Sequence, residues 1–196
     1  MITLYITDIS QLPPEKRHTA FFLEEILPAH GYQGTPNIAR GPQGKPYLLD
    51  SQGLFFNGSH SGDFMVCAIS DTPVGVDIQK ILPKDNPEAL IRRFMTPEDL
   101  DAFKSCSEKK RLRCFYDLWA GKESYIKYLG TGFKTPMARF RRIPQGRCFG
   151  ILDGRRLQKN LWLSSQTAPE GYVLWVCGHS DQVQIISRKI TSRSIV

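Results

Sequence analysis

The sequence predicts an α+β fold made of two similar halves, each with a helix and antiparallel strands. Its 196 residues are 41% hydrophobic and 23% charged, enough for one large globular domain or two small fused ones. Each half passes from helical sequence into several strand-like runs, an order that favours α+β over a doubly wound sheet. A proline-bounded hinge at residues 83–87 predicts subdomains over residues 1–84 and 85–196.

The first half opens on an apolar strand at residues 2–8. After Pro13 and Pro14, residues 15–27 carry apolar side chains near a 3.6-residue period, which predicts a helix. We expect a Gly/Pro-rich loop at 31–46, short strands at 47–49 and 54–57, a polar loop at 57–62, and longer strands at 64–70 and 74–81.

The second half begins with helical sequence. Thr96 before Pro97 fits an N-cap followed by proline at the first helical position. We expect helices at 88–94, 96–103 and 109–128, and strands at 140–143, 148–151, 161–164 and 172–178. Glycines at 130 and 132 end the longest helix, and the basic residues 188–193 are interpreted as a loose tail.

Composition narrows the classes of protein and partner. No stretch approaches the roughly 20 apolar residues of a membrane helix, and the N-terminus lacks the basic lead of a signal peptide, so a cytoplasmic protein is expected. Five widely spaced cysteines without a CxxC predict neither a zinc site nor a disulfide framework, which is typical of a reducing compartment. The net charge of +7 favours an anionic partner: nucleic acid, a membrane surface, a phosphorylated ligand or an acidic protein.

Asp77 stands out within the apolar strand at residues 74–81. Alternation places it on the same strand face as Gly75 and Gln79. A carboxylate in such a strand is costly unless it is paired, hydrogen-bonded or metal-bound. The residue is therefore either a salt-bridged or turn-capping aspartate or a ligand for a hard cation such as Mg²⁺.

Glu123 and Lys127 are spaced i,i+4, so they share one face of the longest predicted helix. They are either an ordinary surface ion pair or part of a cleft, since Trp119, Tyr125 and Ile126 make the helix largely apolar. Lys122 is expected to line the same cleft.

Two polar loops complete the candidate set. In residues 57–62, His60 between two serines could donate to a phosphate. A Ser–His hydrolase is disfavoured, because that pairing is spatial and no GxSxG motif exists. In residues 40–46, Arg40 and Lys45 lie in a rigid loop that is either solvated or anion-binding but lacks the Walker A spacing.

Taken together, four segments resemble the signatures of the 4′-phosphopantetheinyl transferases of the larger, Sfp-like class. They are RxxxGKPxL at 40–48, NxSHSG at 57–62, GVDIxK at 75–80 and FYxLWxxKESYIKxxGxGF at 115–133, in the order of that family. The resemblance implies a pseudo-dimer whose cleft lies between two α+β halves. It also implies transfer of 4′-phosphopantetheine from coenzyme A to a serine of an apo carrier protein, with release of 3′,5′-ADP, as in holo-[acyl-carrier-protein] synthases.

The resemblance also implies roles for individual residues. Asp77 and Glu123 match metal-ligand positions for Mg²⁺, and Glu123 is the candidate acceptor of the serine proton. Lys127 matches a position that stabilises the departing phosphate. The remaining matches are contacts to coenzyme A, at Ser59, His60, Arg40 and Lys45, with a poorer match at Arg17. The N-terminal subdomain would then hold the coenzyme A loops and Asp77, and the C-terminal subdomain the Glu123/Lys127 helix.

Two departures from the family pattern concern the metal and the nucleotide. Gln79 stands where many members have Glu, so it would be a weaker ligand or hold a metal-bound water. The arginine-rich first helix of the family is poorly matched here.

Coenzyme A and an acidic acyl or peptidyl carrier protein would explain the basic charge, with Arg139, Arg141, Arg142, Arg155 and Arg156 as candidates for the basic face. A monomer is expected. The alternatives are a degenerate member that binds coenzyme A or carrier protein without transfer, and a nucleic-acid-binding module, which no motif supports.

Overall fold

A computed structural model describes residues 1–13, 17 and 19–189 as a mixed α+β protein. The elements of the first half are β1 (Ile2–Asp8), α1 (Thr19–Ile26), β2 (Ile38–Arg40), β3 (Pro46–Leu48), β4 (Phe55–Ser61), β5 (Phe64–Ser70) and β6 (Val74–Lys80). Those of the second half are α2 (Pro87–Phe94), α3 (Pro97–Ser105), α4 (Glu108–Leu129), β7 (Phe140–Gln145), β8 (Cys148–Asp153), β9 (Arg156–Leu157), β10 (Trp162–Ser165), β11 (Tyr172–Gly178) and β12 (Val183–Lys189). The predicted α+β class is confirmed.

The strands form two stacked sheets and a separate β2–β3 hairpin. One sheet has the order β12-β1-β5-β4 and the other β6-β11-β10-β8-β7, with β9 paired to β8. All pairings are antiparallel except β1 with β12, which is parallel. Because β6 pairs with β11 and β12 pairs with β1, the two halves of the chain exchange strands, and the division at residues 84/85 stays a prediction.

The core has four layers, in the order α1, four-stranded sheet, larger sheet and α4. One apolar cluster lies between α1 and the first sheet, a second between the two sheets, and a third between the larger sheet and α4. In β6, Val74, Val76 and Ile78 belong to the middle cluster. Gly75 and Asp77 therefore share the opposite face, as strand alternation predicted, and the structure shows that this face lies against α4.

Gly75 allows α4 to approach β6 closely. A Cβ atom built at Gly75 would overlap the carbonyl oxygen of Ser124 and the amide nitrogen of Tyr128, and would lie 2.9 Å from the Tyr128 Cα. Only a residue without a side chain fits there, so the glycine sets the distance between the strand that carries Asp77 and the helix that carries Glu123 and Lys127.

The helix ends follow their sequence signals. The Thr96 side chain accepts from the Asp99 backbone amide, and the Asp99 side chain accepts in return from the Thr96 backbone. Gly130 ends α4 with φ of 69°, a left-handed conformation that glycine adopts without strain. Both helix ends confirm the prediction.

Several expected loops are strands. Residues 57–61 extend β4, because their backbone pairs with β5 although the side chains are polar. The expected loop at 31–46 contains β2, which pairs with β3. The sequence predicts a loose tail at 188–193, but Arg188 and Lys189 lie in β12 opposite Thr7 and Asp8 of β1. Residues 190–193 of that tail lie outside the described residues. The predicted helix at 15–27 is shorter, beginning at Thr19, and its residues 15, 16 and 18 also lie outside them.

The cysteines differ from expectation in one respect. Cys106 and Cys114 form a disulfide between the end of α3 and the first turns of α4, so the prediction of no disulfide is wrong. The turn between the two helices brings together residues whose spacing matches no sequence motif. Cys67 and Cys177 are free and buried, as predicted.

No helix within residues 1–13, 17 and 19–189 is both long enough and apolar enough to cross a membrane.

Candidate active site

Asp77 is the buried centre of a hydrogen-bonded cluster between β6, β4 and α4. Its side chain is only 2% exposed. Lys127 Nζ lies 2.6 Å from Asp77 Oδ1, and Ser59 Oγ donates to the same oxygen at 2.9 Å. Gln79 Nε2 donates to Asp77 Oδ2 at 2.9 Å. Both carboxylate oxygens therefore have donors, which satisfies a charge that would otherwise be costly to bury.

Glu123 lies on the same face of α4, one turn before Lys127. Burial raises the pKa of its carboxyl, the negative charge of Asp77 raises it further, and Lys127 partly offsets both effects. Lys127 forms its ion pair with Asp77, not with Glu123, so the simple i,i+4 surface pair is absent between these two described residues. Glu123 is left as a half-buried carboxylate facing open space.

Ser59 belongs to a row of side chains that join β4 to β6 in place of a backbone ladder. Asn57 Oδ1 accepts from the Val76 amide at 2.8 Å. Ser59 Oγ accepts from the Ile78 amide at 3.4 Å, and Ser61 Oγ from the Lys80 amide at 3.0 Å. Through these bonds, alternate residues of β4 bind β6, the strand that carries Asp77, along the edge that does not face β11.

A cavity of about 680 Å³ opens beside this cluster. Glu123 and Lys127 line it on α4, Asn57 and Gly58 line it on β4, and Lys45 lines it from the loop before β3. The rest of the wall comes from Gln43, Gly44, Pro46, Arg93, Phe94, Trp119, Ile126, Gly130, Gly132, Thr135, Pro136, Met137 and Ala138. The cavity thus brings three separately predicted motifs to one place.

A family model described as the 4′-phosphopantetheinyl transferase superfamily matches residues 73–177, which include Asp77, Glu123 and Lys127. The chain belongs to the 4′-phosphopantetheinyl transferase superfamily. The resemblance to this family inferred from the sequence motifs is therefore confirmed.

Two relatives and one solved structure are similar to this chain. A Synechocystis protein, slr0495, provisionally assigned as a 4′-phosphopantetheinyl transferase, is 30% identical over 159 residues, covering 74% of this chain and 63% of the relative. The Bacillus subtilis 4′-phosphopantetheinyl transferase Sfp is 35% identical over 97 residues, covering 50% of this chain and 42% of Sfp. The crystal structure of Thermotoga maritima holo-[acyl-carrier-protein] synthase has a TM-score of 0.41 at 16% identity, over 54% of this chain and 61% of that one. The chain thus spans about two thirds or less of the length of these relatives.

Lys45 lines the cavity, but its ammonium is already bound by backbone carbonyls. Lys45 Nζ donates to Tyr128 O at 2.9 Å and to Val74 O at 3.2 Å, so it stabilises the C-terminal end of α4. Burial lowers the pKa of this lysine to about 8. These two bonds use two of the three N–H groups of the ammonium, so one N–H remains for a contact within the cavity.

The other expected coenzyme A contacts lie apart from the Asp77 cluster. Arg40 is exposed and donates to Gly44 O at 3.0 Å, within its own loop. His60 is exposed on β4, where alternation places it on the face opposite Ser59. Arg17 Nε donates to Leu12 O at 2.7 Å, beyond the end of β1. These three residues do not line the cavity among its described walls.

Lys122 contradicts its predicted place in the cleft. Its side chain is fully buried, and its ammonium lies 2.6 Å from Asp99 Oδ2. It also donates to Met137 O at 2.8 Å and Phe140 O at 2.6 Å. Burial lowers its pKa, which the Asp99 charge partly counteracts. Lys122 thus ties α4 to α3, to Met137 and to the first residue of β7.

Sequence reasoning gave no individual role to Asn57, Arg93 or Phe94. Asn57 stands at the start of the NxSHSG motif, and its role follows from the hydrogen bond that its Oδ1 accepts from the Val76 amide of β6, which the motif alone does not reveal. Arg93 and Phe94 end α2 in an unremarkable amphipathic sequence, and their place at the cavity depends on how α2 packs.

Proposed function

We propose that this chain transfers the 4′-phosphopantetheine group of coenzyme A to a serine of an apo acyl or peptidyl carrier protein. The observation that carries the proposal is the meeting of Asp77, Glu123 and Lys127 beside one cavity within the segment that matches the superfamily. In the transfer, the serine oxygen bonds to the phosphorus that bears pantetheine. The bond from that phosphorus to the bridging oxygen breaks, and its electron pair leaves with 3′,5′-ADP.

Glu123 is proposed to accept the serine proton. Its raised pKa makes the carboxylate a better base than an exposed glutamate, and its position at the cavity leaves it accessible to an incoming hydroxyl. Lys127, whose ammonium now lies against Asp77, is proposed to stabilise negative charge on the departing phosphate.

The donor set suits Mg²⁺. Asp77 and Glu123 supply two carboxylates, the oxygen ligands that a hard cation prefers, while water and phosphate oxygens would complete the shell. The Gln79 side chain lies beside them and turns its NH2 group to Asp77. When bound, Mg²⁺ supplies charge neutralisation at the pyrophosphate. Ser59 and Gln79 are proposed to orient the Asp77 carboxylate through the hydrogen bonds described above.

The decisive experiment incubates the protein with coenzyme A, Mg²⁺ and apo carrier proteins of fatty acid, polyketide and nonribosomal peptide systems. Mass spectrometry should show a gain of one phosphopantetheine on at least one carrier, and EDTA should abolish it. Binding of coenzyme A or carrier without any mass gain would instead favour the degenerate, non-transferring member. The monomeric state and the cytoplasmic location stay predictions.

Lys127→Met should tighten divalent-cation binding in the absence of coenzyme A. The ammonium and a cation would compete for Asp77 Oδ1, which Lys127 contacts at 2.6 Å. We expect affinity for Mn²⁺, measured by calorimetry, to rise roughly tenfold, because net ligand charge tunes hard-cation sites. Lys80→Met is the matched control: Lys80 pairs with Asp63 at 2.8 Å on the surface. Equal affinities of wild type and Lys127→Met would contradict the competition.

Gln79→Glu should make the fold more dependent on Mg²⁺. The wild-type amide donates to Asp77 Oδ2, whereas a second carboxylate would repel Asp77 until a cation binds. We expect apparent Mg²⁺ affinity to tighten by about 1 kcal/mol or more. The test is a Mg²⁺ titration of the melting temperature. Unchanged Mg²⁺ dependence with weaker coenzyme A binding would place residue 79 among phosphates only.

A further inference from the structure

One wall of the cavity is unused by the proposed chemistry and is mostly apolar. It is formed by Phe94 at the end of α2, Trp119 on α4 and Met137 before β7. Phe94 is 40% exposed, so part of its ring is accessible to a binding partner. The same cavity contains Glu123, so this wall is continuous with the place where the acceptor hydroxyl must arrive.

Arg93 adds a free positive charge to this wall. Three cationic side chains line the cavity, and two of them are engaged: Lys45 by backbone carbonyls and Lys127 by Asp77. Arg93 is exposed and forms no ion pair with an acidic side chain of residues 1–13, 17 and 19–189. Its guanidinium carbon lies 5.1 Å from the centre of the Phe94 ring, which leaves its N–H groups free for a carboxylate.

Most of the arginines that the sequence predicts to form a basic face make contacts within the protein. Arg139 pairs with Asp153 at 2.6 Å, and Arg141 pairs with Glu98 at 2.5 Å. The Arg142 guanidinium lies 5.0 Å and 5.1 Å from the Phe149 and Trp175 rings. Arg155 and Arg156 are exposed but do not line the cavity. Positive charge next to the site is thus concentrated at the end of α2.

We propose that Arg93 and Phe94, together with Trp119, form the docking surface for the acceptor protein. The partner it fits is an acidic protein surface that places a carboxylate against Arg93 and an apolar side chain against Phe94 while its hydroxyl reaches Glu123. Charge complementarity and continuity with the candidate active site carry this assignment, which rests on the proposed transfer function.

The test compares Arg93→Glu with Arg92→Glu. Both substitutions change the net charge equally, but Arg92 pairs with Glu88 at 2.7 Å and does not line the cavity. With the carrier protein that wild type modifies best, Arg93→Glu should raise the acceptor KM roughly tenfold or more, since an interfacial like-charge contact is costly. The dissociation constant for coenzyme A and kcat at saturating acceptor should stay unchanged. Phe94→Ser should raise the acceptor KM in the same selective way.

Four outcomes would overturn the docking surface. They are an unchanged acceptor KM, equal effects of the two arginine variants, weakened coenzyme A binding in Arg93→Glu, and weakened coenzyme A binding in Phe94→Ser. The last two would assign the wall to the pantetheine arm instead. A carrier variant with lysine in place of the contacting carboxylate should restore the KM of Arg93→Glu.

Direct binding of apo carrier proteins by calorimetry separates this proposal from the transfer function. If wild type binds a carrier without modifying it, and Arg93→Glu alone weakens that binding, the docking surface stands and the transfer function fails. If wild type modifies a carrier and the Arg93 variant binds it normally, the transfer function stands and the docking surface fails. If wild type binds none of the carriers, both fail.

Discussion

Glu123→Gln is expected to lower phosphopantetheine transfer by roughly 10²–10⁴-fold while leaving the protein folded. The substitution keeps the size of the side chain but removes both a negative charge for the metal and the group proposed to take the serine proton. Because Glu123 is half-buried and not part of an internal ion pair, its loss leaves no buried partner uncompensated.

The measurement is a time course of carrier modification followed by mass spectrometry, with thermal melting as the test of folding. Glu108→Gln is the matched control, because Glu108 is an exposed glutamate in the first turn of the same helix. Wild-type turnover by Glu123→Gln would show that the site has been misplaced. A lower melting temperature with parallel loss in the control would instead point to helix destabilisation.

The elements predicted most accurately are those whose sequence of apolar and polar residues directly reflects which of their residues are buried. The strands at 2–8, 64–70 and 172–178 have the predicted bounds, because each is rich in apolar residues and buried on both faces. Simple alternation also predicted that Gly75 and Asp77 share one face of β6, and the structure packs α4 against that face.

The sequence failed where distant partners decide the structure. Residues 57–61 are polar and contain glycine, which favours a turn, yet their backbone pairs with β5 and their side chains accept from amides of β6. The strand β12 likewise exists because β1, at the other end of the chain, offers a free parallel edge. Local propensity contains no information about either partner.

The lysines of α4 show the same limit within the site. Lys122 and Lys127 occur in one motif and are both candidates for a cleft. The structure buries Lys122 against Asp99 and directs Lys127 to Asp77. Which lysine reaches the cavity depends on the rotation of α4 over β6, and this rotation is fixed by contacts such as the one at Gly75.

Gly75→Ala should therefore damage both stability and activity, although it adds a single methyl group far smaller than any catalytic side chain. The new Cβ would overlap backbone atoms of Ser124 and Tyr128, which cannot rotate away as a side chain can. Overpacking of this kind costs about 1–3 kcal/mol of unfolding free energy, and a displacement of roughly 1 Å between catalytic groups can cost 10²-fold in rate.

Gly150→Ala is the matched control, since Gly150 is also a strand glycine and its Cβ would meet Gln145 Nε2 at 2.9 Å, the movable end of a flexible side chain. Chemical denaturation and the carrier assay should show a clear loss for Gly75→Ala and a small one for Gly150→Ala. If Gly75→Ala retained wild-type transfer and stability, then β6 and α4 could separate without cost, and their close approach would not set the spacing of Asp77, Glu123 and Lys127.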